Sequence, residues 1–277
     1  MYTAYTLICP TATQEILIAL LADRGFDSFE ERADGLVGYA LSVQHAQQLR
    51  VLDELSASYG FTYSAAELPV KNWNQEWERQ FEPIVIDERL RIRASFHQPA
   101  AEFRREIVID PKMSFGTGHH ATTHMMCALL LDHYENTAEA GNYVLDYGCG
   151  TGVLAILAKL LGAGAVDAVD IEAWAVENSC ENAAANGVDL DRLELGTLAD
   201  ITPGTPYDLV LANINRNVLL DSAASLWTKI RPGGRAYLSG ILMQDEEMVI
   251  TGYENAGFRH LRSVARQDWR ALELLRE

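Results

Sequence analysis

The sequence has no apolar run near the roughly 20 residues that a membrane-spanning helix needs, so no membrane association is expected. No Lys or Arg precedes Arg24 and no uninterrupted apolar core follows the start, which argues against a secretory signal. Cysteine is scarce: Cys9, Cys127, Cys149 and Cys180 show no Cys-x-x-Cys spacing, and a reducing cytoplasm fits best. Positive charge is scarce as well. Against 39 Asp and Glu stand 22 Lys and Arg, giving a net charge of −17. That balance argues against a broad phosphate-binding surface, so no direct nucleic-acid contact is expected; it favours steering of a basic partner. The 277 residues, 48% hydrophobic and 22% charged, suit a soluble chain. They have room for one domain of about 200 residues and a smaller one.

What is present centres on Val144 to Gly152, Val-Leu-Asp-Tyr-Gly-Cys-Gly-Thr-Gly, between an apolar strand and the apolar stretch Val153 to Leu161. Gly148, Gly150 and Gly152 allow positive φ and close backbone approach to a ligand, and the helix start offers unpaired N–H groups. A second strand, Ala165 to Val169, ends in Asp170, about 20 residues beyond the loop, where an acid can accept hydrogen bonds from ribose hydroxyls. Asp146 and Asp170 thus frame the turn, either as ligand contacts or as loop caps. A dinucleotide site would read G-x-G-x-x-G, with pyrophosphate on the helix N-terminus. Here the spacing is G-x-G-x-G with an acid two residues before it, which would repel pyrophosphate and suit a ligand with a cationic end. S-adenosylmethionine, with ammonium and sulfonium groups, is one. Cys149 reads as a small residue in a tight turn rather than a nucleophile, because nothing local would activate it.

In chain order, residues 1–66 read as βαββαβ, the ferredoxin-like arrangement, with Asp34-Gly35 as a hairpin turn and no catalytic constellation. Residues 67–82 read as a linker helix carrying Trp73, Trp77 and Phe81 as one apolar stripe, ended by Pro83. Ile84 to Ile86, Leu90 to Ala94 and Glu106 to Ile109 read as strands leading into a catalytic sheet. Thr122 and Thr123 open a helix, which capping alone could explain. His120 and His124, one turn apart with His119 beside them, raise the question of a metal, but no third ligand has matching spacing and none is expected. Tyr207 to Ala212 is an apolar strand delivering Asn213 to the active edge, where Asn is also a common turn residue. Pro232-Gly233-Gly234 reads as a turn before a strand at Arg235 to Ser239. The chain closes with an antiparallel hairpin around Gln267-Asp268.

The loop Asp146 to Gly152 resembles that of class I S-adenosylmethionine-dependent methyltransferases. Asp110-Pro111-Lys112-Met113-Ser114-Phe115-Gly116-Thr117-Gly118, running on to Thr122-Thr123, is similar to the ribosomal protein L11 methyltransferase family, as are Asn213-Ile214 and the Trp73 to Pro83 segment. His119 and Ala121 depart from a family pattern that more often has Thr and Pro.

The resemblance implies an α/β fold: a Rossmann-like methyltransferase domain over 83–277, with a mostly parallel seven-stranded sheet finished by an antiparallel hairpin, plus the small α+β domain as substrate-recognition module. It implies S-adenosylmethionine as cofactor, held by Thr123, Gly148, Gly150, Asp170 and Asn213. Asn213 is the catalytic candidate, since methyltransferases acting on amines often place Asn or Asp at this strand end to hold the amine by its N–H. The expected activity is methylation of lysine side chains or the N-terminal α-amine of ribosomal protein L11 by a monomer. The alternatives are a methyltransferase acting on RNA or another amine, and a non-enzymatic nucleotide-binding ribosome adaptor.

Overall fold

The computed structural model describes residues 2–68, 81–112, 114–136, 141–202 and 204–277. The chain divides into two compact units, one ending at Gln80 and one beginning at Phe81. In the first, β1 (Tyr2–Ile8), α1 (Thr11–Ala22), β2 (Ser28–Arg32), β3 (Gly35–Leu41), α2 (His45–Tyr59) and β4 (Thr62–Glu67) follow the βαββαβ order. The antiparallel sheet has the order β2-β3-β1-β4 of a ferredoxin-like domain. Arg32 pairs with Gly35, so the hairpin turn is Ala33-Asp34 and Gly35 already belongs to the strand, one residue off the expected register. Alternate residues of β1, Tyr5 and Leu7, join Leu17, Leu21, Leu36 and Leu52 in a core confined to this unit. Glu67 ends β4 instead of opening a linker helix, and Phe81 to Pro83 have no regular structure. The rest of the expected helix, with Trp73 and Trp77, lies outside the described residues.

The second unit begins with a small sheet of β5 (Ile84–Ile86), β6 (Leu90–Arg93) and β7 (Glu106–Val108). It stands apart from the catalytic sheet, contrary to the expectation that these strands lead into it. The strands are three or four residues long, and their inward Ile86, Leu90, Ile92 and Ile107 are spent on a shared core with α3 (Ala121–Asn136).

The main sheet comprises β8 (Tyr143–Tyr147), β9 (Ala165–Asp170), β10 (Arg192–Leu195), β11 (Tyr207–Asn213), β12 (Ile230–Leu242), β13 (Phe258–Arg266) and β14 (Trp269–Arg276). Its order is β10-β9-β8-β11-β12-β14-β13. The first five strands run parallel, while β14 is antiparallel to both β12 and β13. The expected turn at Pro232 to Gly234 is absorbed into β12, which shifts register there: Tyr207 pairs with Ile230, and Leu209 with Arg235. The helices are α3, α4 (Val153–Leu161), α5 (Ala173–Ala185), α6 (Arg216–Lys229) and α7 (Glu246–Asn255).

Strand periodicity divides the apolar residues between two cores. Val144, Leu209, Leu211 and Tyr237 face α3 and α4, while their neighbours Leu145, Val210, Ala212 and Leu238 face α6 and α7. Both faces of the strands are therefore buried, as a covered parallel sheet requires, and the polar residues stand at its ends. Among the described residues no helix is long and apolar enough to cross a membrane.

Candidate functional site

At the carboxyl ends of β8, β9 and β11 lies a cavity of about 330 Å³ whose lining includes Thr123, Gly148, Gly150, Asp170 and Asn213, the five residues expected from the sequence. Open parallel sheets bind ligands at this edge, beside the point where strand order reverses, here between β8 and β11. Glycine is required at two positions of the wall. Gly148 (φ 76°) and Gly150 (φ 57°) are left-handed; a Cβ would sit 2.2 Å from Ile214 Cγ2 at the first and 2.3 Å from the Phe115 carbonyl oxygen at the second. The loop is pinned from both sides: Gly148 and Cys149 N–H donate to the Val169 carbonyl, and Thr151 N–H donates to that of Phe115 at 2.9 Å.

The two acids do different things. Asp170 lines the cavity, and its oxygens accept from Gly150 N–H at 2.9 Å and Glu172 N–H at 3.1 Å, so it is both cap and wall. Asp146 is only 1% exposed and accepts from Ala155 N–H at 3.0 Å, in the first turn of α4. It is not among the lining residues of the cavity, and the helix start behind the loop takes its carboxyl, so the cap is the role seen here. Burial raises Asp146 to about 7, with the neighbouring charge of Asp170 adding to the rise. Burial likewise pushes the Cys149 thiol up, so it is an inert small residue of the turn.

A second cavity, about 300 Å³, shares Phe115, Asn213, Ile214 and Asn215 with the first and adds His120, Thr122, Gly240 and Trp269. Asn213 ends β11 between the two. Its Nδ2 donates to the Thr123 hydroxyl at 3.3 Å, while its Oδ1 is buried with no hydrogen-bond partner among the described residues. Two residues on, Asn215 caps α6 by accepting from Asn217 N–H at 2.9 Å, which sets the direction of the strand-end turn.

Thr122 and Thr123 lie within the first turn of α3, buried, and the cap is instead His120: its Nδ1 accepts from Thr122 N–H at 3.3 Å. The ring proton of the neutral imidazole therefore sits on Nε2, and burial lowers the pKa of this histidine, which favours that neutral form. Its ring stands edge-on to Trp269 at 4.7 Å and to Phe115 at 5.2 Å. The second cavity is thus mostly aromatic and apolar, with no carboxylate among its lining residues. Among the described residues no three His, Cys, Asp or Glu converge as metal ligands.

Sequence reasoning, which reads the Met113 to Thr123 segment as a second wall of the cofactor pocket, singles out none of Phe115, His120, Ile214 and Trp269 as a cavity residue. Phe115 lay inside a recognised motif and His120 was weighed as a metal ligand, whereas Trp269 carries no local signal, since it reaches the cavity only through the insertion of β14 beside β12.

A sheet with this strand order, an antiparallel penultimate strand and a glycine loop after the strand at the order reversal is the fold of class I S-adenosylmethionine-dependent methyltransferases. The family model described as ribosomal protein L11 methyltransferase (PrmA) matches residues 30–277, and the chain belongs to that family. The ribosomal protein L11 methyltransferase of Bacteroides thetaiotaomicron is 35% identical over 276 residues, covering 98% of this chain and 97% of that protein. Its counterpart from Porphyromonas gingivalis is 39% identical over 263 residues, covering 93% and 89%. The crystal structure of ribosomal protein L11 methylase from Lactobacillus delbrueckii subsp. bulgaricus superposes with a TM-score of 0.63 at 29% identity, covering 71% of this chain and all of that one.

Proposed function

We propose that the protein transfers methyl groups from S-adenosylmethionine to amino groups of ribosomal protein L11, lysine side chains or the N-terminal α-amine. The observation that carries this reading is the unpartnered, buried Oδ1 of Asn213 where the two cavities meet. A buried carbonyl oxygen with no partner is costly to leave unmade, and an amine N–H is the donor it lacks.

The first cavity fits the cofactor: Gly148 and Gly150 let the loop pack against Ile214 and Phe115 where a Cβ would clash, Asp170 offers carboxylate oxygens to ribose hydroxyls, and Thr123 and Asn213 also line it. S-adenosylmethionine supplies an electrophilic methyl on its sulfonium. The chain's own work is alignment. Asn213 Oδ1 accepts one N–H of the incoming amine and turns its lone pair toward the first cavity, while Thr123 fixes the Asn213 amide by accepting from Nδ2. Phe115, His120 and Trp269 form an aromatic wall with no carboxylate to hold an ammonium ion, and the neighbouring sulfonium charge favours the neutral amine, so no general base is invoked. The ferredoxin-like unit, which carries none of the cavity residues, is the recognition module for the ribosomal protein, and the site of action is the cytoplasm.

Incubation of the purified chain with S-adenosylmethionine and ribosomal protein L11, followed by intact-mass spectrometry, tests the reading. Mass increments of methyl groups on amines are expected; an unmodified L11 alongside measurable cofactor binding would refute it.

A further inference from the structure

Of the histidines before α3, the proposed function uses only His120. His119 turns the other way. Its Nε2 lies 3.1 Å from the Glu82 carbonyl oxygen and its Nδ1 3.1 Å from the Thr117 hydroxyl. A carbonyl can only accept, so the proton is on Nε2, and Nδ1 takes the Thr117 hydroxyl proton. The Phe81 ring packs against His119 at 4.4 Å between centroids and stacks on His97 at 6.1 Å with the planes 11° apart. His97 repeats the arrangement: Ala94 N–H donates to its Nδ1 at 3.1 Å, which places the ring proton on Nε2, 2.6 Å from the carbonyl oxygen of Phe81. Two imidazoles therefore hold two consecutive carbonyls, those of Phe81 and Glu82, where the chain enters the second unit.

The loop that His119 belongs to is the loop of the second cavity. Phe115 and His120 line that cavity, and His120 also caps α3. We propose that His119, with His97 and Phe81, is a clasp that positions the 115–120 loop of the acceptor cavity against the entry segment 81–82. His119 is then a positioning residue acting through Phe115 and His120. The proposal rests on the reading of the second cavity as the acceptor site.

The test uses the full chain with S-adenosylmethionine and ribosomal protein L11. His119→Ala is expected to lower kcat by about tenfold through loop misplacement, with a smaller loss of calorimetric affinity for S-adenosylmethionine, since Phe115 also lines the first cavity. Hydrogen exchange should lose protection jointly at residues 81–86 and 114–120. His119→Gln, whose amide N–H can reach the Glu82 carbonyl, should restore rate and protection, whereas the shorter His119→Asn should not. A wild-type kcat in His119→Ala, a parallel loss of cofactor affinity, a failure of His119→Gln to rescue, or loss of protection in one segment alone would each overturn the clasp. If the wild-type chain binds cofactor yet transfers no methyl, the acceptor reading itself falls, and joint protection then decides whether the clasp exists.

Discussion

Asp170 and Gly150, twenty residues apart, are joined by a 2.9 Å hydrogen bond from the glycine N–H to the carboxylate. The bond makes the acid at the end of β9 part of the glycine loop's own geometry as well as of the cavity wall. Asp170→Ala should therefore weaken S-adenosylmethionine binding by about ten- to a hundredfold, the cost of about 1.5–3 kcal/mol for lost bonds to a charged acceptor. The fold should survive, with a smaller loss of stability from the freed Gly150 and Glu172 N–H groups. Asp170→Asn, keeping one acceptor oxygen, should fall between. Isothermal titration calorimetry checks the order, and equal affinity in all three proteins would remove Asp170 from the cofactor site.

Asp146 predicts a pH effect. Its carboxyl is raised by burial to about 7, against about 3.9 for an unfolded aspartate. Between those values the folded state holds more protons than the unfolded state, so this group's contribution to stability declines as pH rises through the window. Asp146→Asn abolishes that decline and keeps an oxygen for Ala155 N–H. The melting-temperature advantage of the variant should grow from about pH 4 to about pH 7 and level off above it. A constant difference between the two proteins across that range would show that Asp146 is not held protonated by burial.

The strand alternation and the glycine loop were legible because both are local. Val144 and Leu145 must go to opposite faces whatever packs on them, and Gly148 and Gly150 carry a backbone requirement within their own residues. For Asp146 the spacing left ligand contact and loop cap both open, and the helix start nine residues on takes the carboxyl. The acceptor cavity was the least legible part. Phe115 with His120, Asn213 and Trp269 come from three stretches spread over more than half the chain, and only the sheet order brings them together. The β5–β7 sheet went astray for a similar reason: alternation marks a strand without saying which sheet it joins.

The separate cores of the two units support a truncation experiment. Among the described residues, the apolar cluster of the first unit runs from Tyr5 to Tyr63, and those of the second draw on residues from Ile84 onward. Deleting residues 1–66 should leave a protein that unfolds cooperatively and binds S-adenosylmethionine with unchanged affinity. Methylation of intact ribosomal protein L11 should fall steeply through KM, because the recognition module is gone. Full activity of the truncated chain on intact L11 would end the recognition assignment.

Asn213 gives the sharpest test of mechanism. Its amide is fixed by the Thr123 hydroxyl through Nδ2, so its Oδ1, without a hydrogen-bond partner among the described residues, cannot simply rotate away, and the residue lines both cavities. Asn213→Ala removes both the acceptor oxygen and the link to Thr123; a misplacement of about 1 Å in the amine should cost on the order of a hundredfold in the single-turnover rate. Cofactor affinity should change far less. Asn213→Asp keeps an oxygen for the amine but turns the bond to Thr123 around, since a carboxylate can only accept and the hydroxyl must donate. Its added charge also favours an ammonium ion, which has no lone pair to offer, so activity should be partial and should recover as pH rises and the amine loses its proton. Rapid-quench rates at saturating cofactor across a pH series separate these outcomes. Wild-type rates in both variants would reduce Asn213 to a strand-end turn residue, and an Asp variant as slow as Ala at every pH would show that the amide, rather than an acceptor oxygen alone, is what the amine requires.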